Sequence, residues 1–300
     1  MTLEKKATIV SSSVATVLII IKLAIGILSG SVSVLASAID SVLDLIVSAF
    51  NLFAITKSEK PADDEFNYGR GKIEALAAVI EGTVITMSGL FILYEAIKKA
   101  LHHEVTTMLD TSIVVMSISI VLTVGLVLFL NYVAKKTNNL VIRSDALHYK
   151  TDIYSNGAIL LALILIHFTG IQVIDSIFGG AIALYIIYSS YEIIKEGVLM
   201  LLDVALDNEI VENIKDIIIS TNGVTDYHFL KTRRSGKTNF VDVHVVMTPD
   251  ISLLEAHRIS DSIEDKIREL DKESNWSITA HLDPYDDSII NEEESGVKKN

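Results

Sequence analysis

Apolar residues in the first two-thirds of this chain run in long unbroken blocks, not in the short alternations of a soluble fold. A helix needs about 20 mostly apolar residues to cross the roughly 30 Å of bilayer hydrocarbon. Six segments meet that length: Thr8 to Leu28, Val34 to Ile55, Ile73 to Ile97, Ser112 to Ala134, Ala146 to Phe168 and Val173 to Ile194. Lys5 and Lys6 precede the first, as in a secretory leader, but its apolar stretch is too long for a signal core and further spans follow at once. Beyond Asp203 the period changes. Asn208 to Thr221 gathers Ile210, Ile214, Ile217 and Ile218 on one face and predicts an amphipathic helix. Thr225 to Thr232 and Asn239 to Met247 read as strands around a hairpin turn at Ser235-Gly236-Lys237, with Val241, Val243 and Val245 alternating. Leu253 to Leu270 is helical again, and Trp276 to Leu282 reads as a third strand. The order αββαβ predicts helices layered on one small sheet.

The expected fold class is therefore a polytopic α-helical membrane protein with six transmembrane helices and a C-terminal cytoplasmic α+β domain. The expected boundaries are 1–203 for the membrane domain, 204–286 for the soluble domain and 287–300 for a tail, of which Asn291 to Asn300 reads as disordered and polar. Charge sharpens this division. The chain carries a net −13 with 50% hydrophobic residues, but Asp203 to Asn300 holds 21 acidic and 11 basic residues against 17 and 14 in the first 202. The acidity thus belongs mainly to the soluble part. It argues against a nucleic-acid partner, which needs clustered Lys and Arg; the expected partner is the lipid bilayer. Basic loop residues set orientation. Lys5, Lys6, Lys57, Lys60, Arg70, Lys72, Lys135, Lys136 and Arg143 fall at one side, whereas the Gly30-Ser31 and Thr169-Gly170 turns carry none. Both termini are expected in the cytoplasm, with Lys98 and Lys99 snorkelling at a helix end on the other side.

With no Cys in the chain, any metal site must use His, Asp and Glu. Charged groups at membrane depth are costly and functional by default. The second span contains Asp40 and Asp44, and the fifth His148 and Asp152, each pair at i, i+4 and so on one helical face. Three carboxylates and one imidazole suit a tetrahedral Zn²⁺ site or a similar first-row divalent ion. Glu81 in the third span and His167 near the outer end of the fifth read as lining or boundary residues. The plain alternative is an intramembrane Asp paired with Lys22 or Lys150.

Asp40-x-x-x-Asp44 together with His148-x-x-x-Asp152 resembles the cation diffusion facilitator family, in its bacterial zinc and ferrous-iron efflux branch. Further matching runs are Ser33-Val34-Leu35-Ala36-Ser37, Tyr68-Gly69-Arg70-Gly71-Lys72, Asp145-Ala146-Leu147-His148-Tyr149-Lys150 and Leu202-Asp203, and the likeness extends from about residue 7 to 285. It implies six spans, a metallochaperone-like cytoplasmic domain, and divalent cation/proton antiport by a homodimer in the bacterial inner membrane. Asp40, Asp44, His148 and Asp152 match the family's transport site. Metal and protons compete for such ligands, because a ligand must be deprotonated to bind; His148 titrates most readily near neutrality.

The resemblance implies two further sites. His228, His244, His257 and His281 match a binuclear cytoplasmic zinc site, with Asp283 as its carboxylate; Leu282 departs from relatives that carry a polar ligand there. In the loop after span two the family places an Asp and two His. Here Asp63 is present, but Phe66 and Arg70 occupy the His positions, so the loop site is expected to be absent or strongly weakened. Lys72 and Asp203 match a charge cluster at the dimer junction; the plain reading is a snorkelling Lys and a helix-end Asp. The leading functional expectation is export of Zn²⁺, Fe²⁺ or Cd²⁺ in exchange for protons, with cytoplasmic metal as regulator. A membrane-bound metal sensor without net transport is the alternative. An intramembrane metalloenzyme is disfavoured, since no His-Glu-x-x-His or nucleophile-base set occurs.

Overall fold

The computed structural model describes residues 1–29, 32–102, 110–169 and 173–287. Among them the chain forms α1 (Leu3–Ser29), α2 (Val32–Ser58), α3 (Lys72–His102), α4 (Asp110–Thr137), α5 (Leu140–Thr169) and α6 (Val173–Leu201), then α7 (Asn208–Ile219), β1 (Val224–Ser235), β2 (Thr238–Met247), α8 (Leu253–Leu270) and β3 (Asn275–Asp283). Two compact units divide between Val198 and Leu199. The Gly30-Ser31 turn, Gly170 and the polar tail lie outside the described residues.

In the first unit, α1, α2, α3, α4 and α6 contain stretches long and apolar enough to span a bilayer. Helix α5 carries Arg143, Asp145, Lys150 and Asp152 in its first half. It tolerates them by packing inside the bundle against α1, α2, α3 and α4. One of its faces, with Val141, Ile142, Ala146 and Tyr149, joins Ala54, Ile55 and Leu130 in a buried cluster. Another, with Leu140 and Leu147, joins Ile85, Ile186 and Ile193. Helix α3 meets α6 closely at Gly82 and Gly89, where an added Cβ would lie 2.8 and 2.9 Å from Ile194 and Ile187.

Helix α5 begins at Leu140, six residues before the expected Ala146. Asn138 takes a φ of 45° and ends α4, a left-handed stop that Asn tolerates. Asn139 then caps α5 by accepting from the Ile142 N–H at 3.1 Å. The Asn139 amide also donates to the buried Glu74 carboxylate at 2.8 Å, and Ser58 donates to its other oxygen at 2.8 Å. One carboxylate thereby ties the end of α2, the start of α3 and the α4–α5 turn. Arg143, expected in a loop, lies in the first turn of α5 and pairs with Glu196 at 2.6 Å.

In the second unit the predicted αββαβ order is observed, and α8 has the predicted bounds. Strands β1 and β2 form an antiparallel hairpin whose pairing extends to Ser235–Thr238, so only Gly236, with φ 57°, and Lys237 remain in the turn. Strand β3 adds parallel to β2, giving the order β1-β2-β3. Ile214 and Ile218 of α7 and Ile263 and Ile267 of α8 pack on Val241, Val243 and Val245. Ser252 caps α8 by accepting from the Glu255 N–H at 3.2 Å. After α8, the Ser274 hydroxyl and the Glu273 and Ser274 N–H groups hold the Asp271 carboxyl below its ordinary range. Because that value is lowered, this turn contributes stability above the unfolded-state carboxylate range and loses it as pH falls through the folded value.

Candidate metal centres

The α-helical repeat puts residues four apart on one face, and α2 and α5 pack side by side. That packing brings Asp44 against His148 and Asp152. His148 Nε2 lies 3.1 Å from Asp44 Oδ1, and one ligand atom from each of the three falls within 4.8 Å of the others. Asp44 and His148 are both partly exposed, at 15% and 14%. Asp40 stands one helical turn before Asp44 on α2, but its side chain lies outside the described residues, as does that of His167. Tyr149 pins the two helices together, its hydroxyl 2.9 Å from Ser48 Oγ. Lys22 of α1 donates to Ser41 at 2.7 Å, on the α2 turn between Asp40 and Asp44.

The second centre is built on the sheet. Cross-strand register aligns His228 with His244 and His244 with His281, so three imidazoles from three strands stand in one row. Asp283, two residues beyond His281, returns to the same face by the strand's period of two. His244 Nδ1 lies 3.0 Å from Asp283 Oδ2, His228 Nε2 lies 3.3 Å from that same oxygen, and His281 Nε2 lies 3.1 Å from Oδ1. One carboxylate thus faces three rings, the disposition of a bridging ligand between two ions. His228 is fully buried, and neither ring nitrogen makes a hydrogen bond although Asp283 and Asp287 oxygens stand 3.2 to 3.3 Å away. A buried imidazole facing carboxylates without aligned protons is a donor set shaped for a cation.

Local strain aims His228. The register slips between His228 and Lys231, and Phe229 takes a φ of 52°, a left-handed conformation uncommon for a bulky residue. Such a bulge re-aims a side chain. The Phe229 ring packs edge-on to His228 and His244, with centroids 4.9 and 5.4 Å apart. Asp286 and Asp287 join the group, 3.6 and 3.2 Å from His228 nitrogens. Sequence reasoning passed over both; the acidic run just past β3 was their signal. His257 is not brought into the group. It lies on α8, 68% exposed, facing Asp261 at 3.6 Å.

The loop after α2 is closed by its own side chains. Arg70 donates to Asp63 Oδ2 at 2.7 Å and its guanidinium stacks 4.0 Å over the Phe66 ring. Asp63 Oδ1 accepts from the Phe66 and Glu65 N–H groups at 2.8 and 3.2 Å. Both carboxylate oxygens are therefore engaged, and the Arg70 hydrogen bond holds the Asp63 carboxyl below its usual range. The pair accordingly survives until pH falls below the ordinary carboxylate range. Zinc titration of the full chain should register about one ion at the α2–α5 group and two at the sheet group, by ligand count. Asp63→Ala should leave that total unchanged; disappearance of a tight ion would place metal in the loop. Of the remaining expected pair, Lys72 begins α3 in the first unit. Asp203 belongs to the second, where it takes a φ of 57° at the end of α6 and lies 3.3 Å from Arg233.

A third polar group joins Asn51, Glu81 and Asp145, at 0, 2 and 0% exposure. No linear pattern signals that these three meet, because each sits on a different helix.

Comparison with known proteins assigns both units. Residues 8–202 match the family model described as the cation efflux transmembrane domain, and residues 206–285 match that of the cation efflux protein cytoplasmic domain, ZT_dimer. The chain is 36% identical over 282 residues to the cation-efflux pump FieF of Escherichia coli (strain K12 / DH10B), covering 94% of this chain and 93% of the relative. It is 37% identical over 282 residues to FieF of Citrobacter koseri, with the same coverage. A solved metal-bound C-terminal domain of the CzcD transporter from Thermotoga maritima matches 26% of this chain and 94% of that one, at 17% identity and a TM-score of 0.24.

Proposed function

This chain belongs to the cation efflux family, the cation diffusion facilitators, and from that premise we propose that it exports divalent metal from the cytoplasm in exchange for protons. The observation that carries the proposal is the convergence of Asp44, His148 and Asp152 between two helices of a membrane bundle. With Asp40 these residues form the transport site. Their oxygen and imidazole set favours Zn²⁺, with Fe²⁺ and Cd²⁺ as further substrates. Ligand competition supplies the coupling: an ion leaves when protons take the imidazole and carboxylates, and protons leave when an ion arrives.

The working form is a homodimer in the bacterial inner membrane with both termini in the cytoplasm, an orientation supported by the basic residues gathered at one set of helix ends. In the soluble domain, His228, His244, His281 and Asp283 hold regulatory zinc, and Asp287 completes the buried end of the group. Bound metal there neutralises part of the domain's acidity. Family resemblance also assigns His257 to this site; within one chain the group closes without it. Lys72 and Asp203 are proposed as charged contacts at the dimer junction.

Proteoliposomes loaded with a zinc-sensitive dye and given a pH gradient test this reading. Zinc flux should follow the gradient, and collapse of the gradient with an ionophore should slow it at least tenfold, the scale set by one pH unit of driving force. Zinc binding without flux under any gradient would favour the sensor reading instead.

A further inference from the structure

Asn51 of α2, Glu81 of α3 and Asp145 of α5 meet in the interior of the helix bundle. One amide serves both carboxylates: Asn51 Nδ2 donates to Glu81 Oε2 at 3.2 Å and to Asp145 Oδ1 at 3.3 Å. The other oxygens of all three side chains, Glu81 Oε1, Asp145 Oδ2 and Asn51 Oδ1, are buried and make no hydrogen bond. Ser144 and Ser11 stand within electrostatic reach of Glu81 and Asp145, but the Ser11 hydroxyl donates to the Thr8 carbonyl at 3.0 Å. Neither carboxylate pairs with Lys or Arg among the described residues. Apart from the His148 ring, which lies within electrostatic reach of both carboxylates, acceptors outnumber donors at a fully buried position, where an unmet polar group is costly.

Such a surplus is what a cation satisfies. We propose that Asn51, Glu81 and Asp145 form a second intramembrane site, one that takes a divalent cation of oxygen-preferring character in transit. Asn51 makes the site switchable. With its NH₂ toward the carboxylates it stands in for the ion; turned by half a revolution it presents Oδ1, and the three side chains offer an all-oxygen set. The second sign is Asn51 itself, a neutral, fully buried amide that donates to both acids while its own Oδ1 is left without a hydrogen-bond partner.

Position gives the site its place in the path. Asn51 lies seven residues after Asp44 on α2, about 10 Å along the axis, and Asp145 three residues before His148 on α5, about 4.5 Å. Both displacements run toward the helix ends that carry Lys57 and Arg143. In the orientation proposed above, on which this assignment of direction rests, the second site lies on the cytoplasmic side of the first. An ion entering from the cytoplasm meets oxygen ligands first and the imidazole of His148 second.

The test uses the full chain in lipid nanodiscs carrying Asp44→Ala and His244→Ala, titrated with Mn²⁺ and followed by electron paramagnetic resonance. Glu81→Gln in that background should weaken one bound Mn²⁺ at least tenfold, the scale of a lost ligand or its support. Asn51→Asp, which adds a carboxylate, should strengthen it by about tenfold, a gain that misfolding cannot produce. In the chain with Asp44 and His244 intact, Glu81→Gln should raise KM for cytoplasmic-side metal about tenfold and leave kcat within about twofold, as expected when binding on the way in is lost. Identical Mn²⁺ titrations with and without Glu81→Gln overturn the site, and so does an effect confined to proton release with Mn²⁺ binding untouched. If no cation is moved even by the unaltered chain while the Glu81-dependent Mn²⁺ persists, the transport reading fails and this site stands.

Discussion

Asp44→Ala should reduce the initial rate of zinc flux in proteoliposomes by at least about a hundredfold. Removing one partner of a largely buried charged group costs roughly 3–5 kcal/mol, because the remaining charges are left uncompensated, and each 1.4 kcal/mol is a factor of ten. Here the loss falls on a carboxylate 3.1 Å from His148 Nε2, in a group of three whose ligand atoms lie within 4.8 Å. His148→Ala should act on the same scale, and the double variant should be no worse than either single one, since both empty one site. The sheet group supplies the folding control: zinc bound by the soluble unit should be unchanged in each variant. Retention of more than about a tenth of the flux, against the hundredfold set by that cost, would move the transport site elsewhere.

Asp283→Ala should lower zinc affinity of the soluble unit by at least about a hundredfold, the upper end of what even a supporting group contributes. Its carboxylate faces His228, His244 and His281, so one substitution touches three rings. Calorimetric titration reads the loss directly. Thermal unfolding gives a second readout, because an ion at a hundred times its Kd stabilises the native state by about 2.7 kcal/mol, and that increment should vanish with the carboxylate. His257→Ala should have a far smaller effect on a single chain, its ring being exposed and facing Asp261. Equal losses from the two variants would contradict a group that closes without His257.

The parts of the fold that were legible in the sequence are those where one period dominates. Long apolar blocks marked the spans, and the Ile spacing of α7 and the Val alternation of β2 marked the soluble layer. Candidate metal groups were legible where the residues share an element, as with His148 and Asp152. Legibility fell where helices cross. Asn51, Glu81 and Asp145 are single polar residues on three helices, and nothing in a linear reading says that they meet. The start of α5 was hidden for a related reason: Arg143 and Asp145 look like loop residues until Glu196 and Asn51 are seen beside them. The bulge at Phe229 depends on which strand lies opposite, which the residues of β1 alone do not state.

The row of imidazoles across the sheet also grades access. His281 is 65% exposed, His244 30% and His228 not at all. Ions arriving from solvent touch the β3 ring first and reach the β1 ring last. For the zinc site proposed above, loading should be ordered from the rim to the floor, and stripping by a chelator should run in reverse. An ion nearest His281 should then answer quickly to changing supply, and one at His228 should keep a slower record of it.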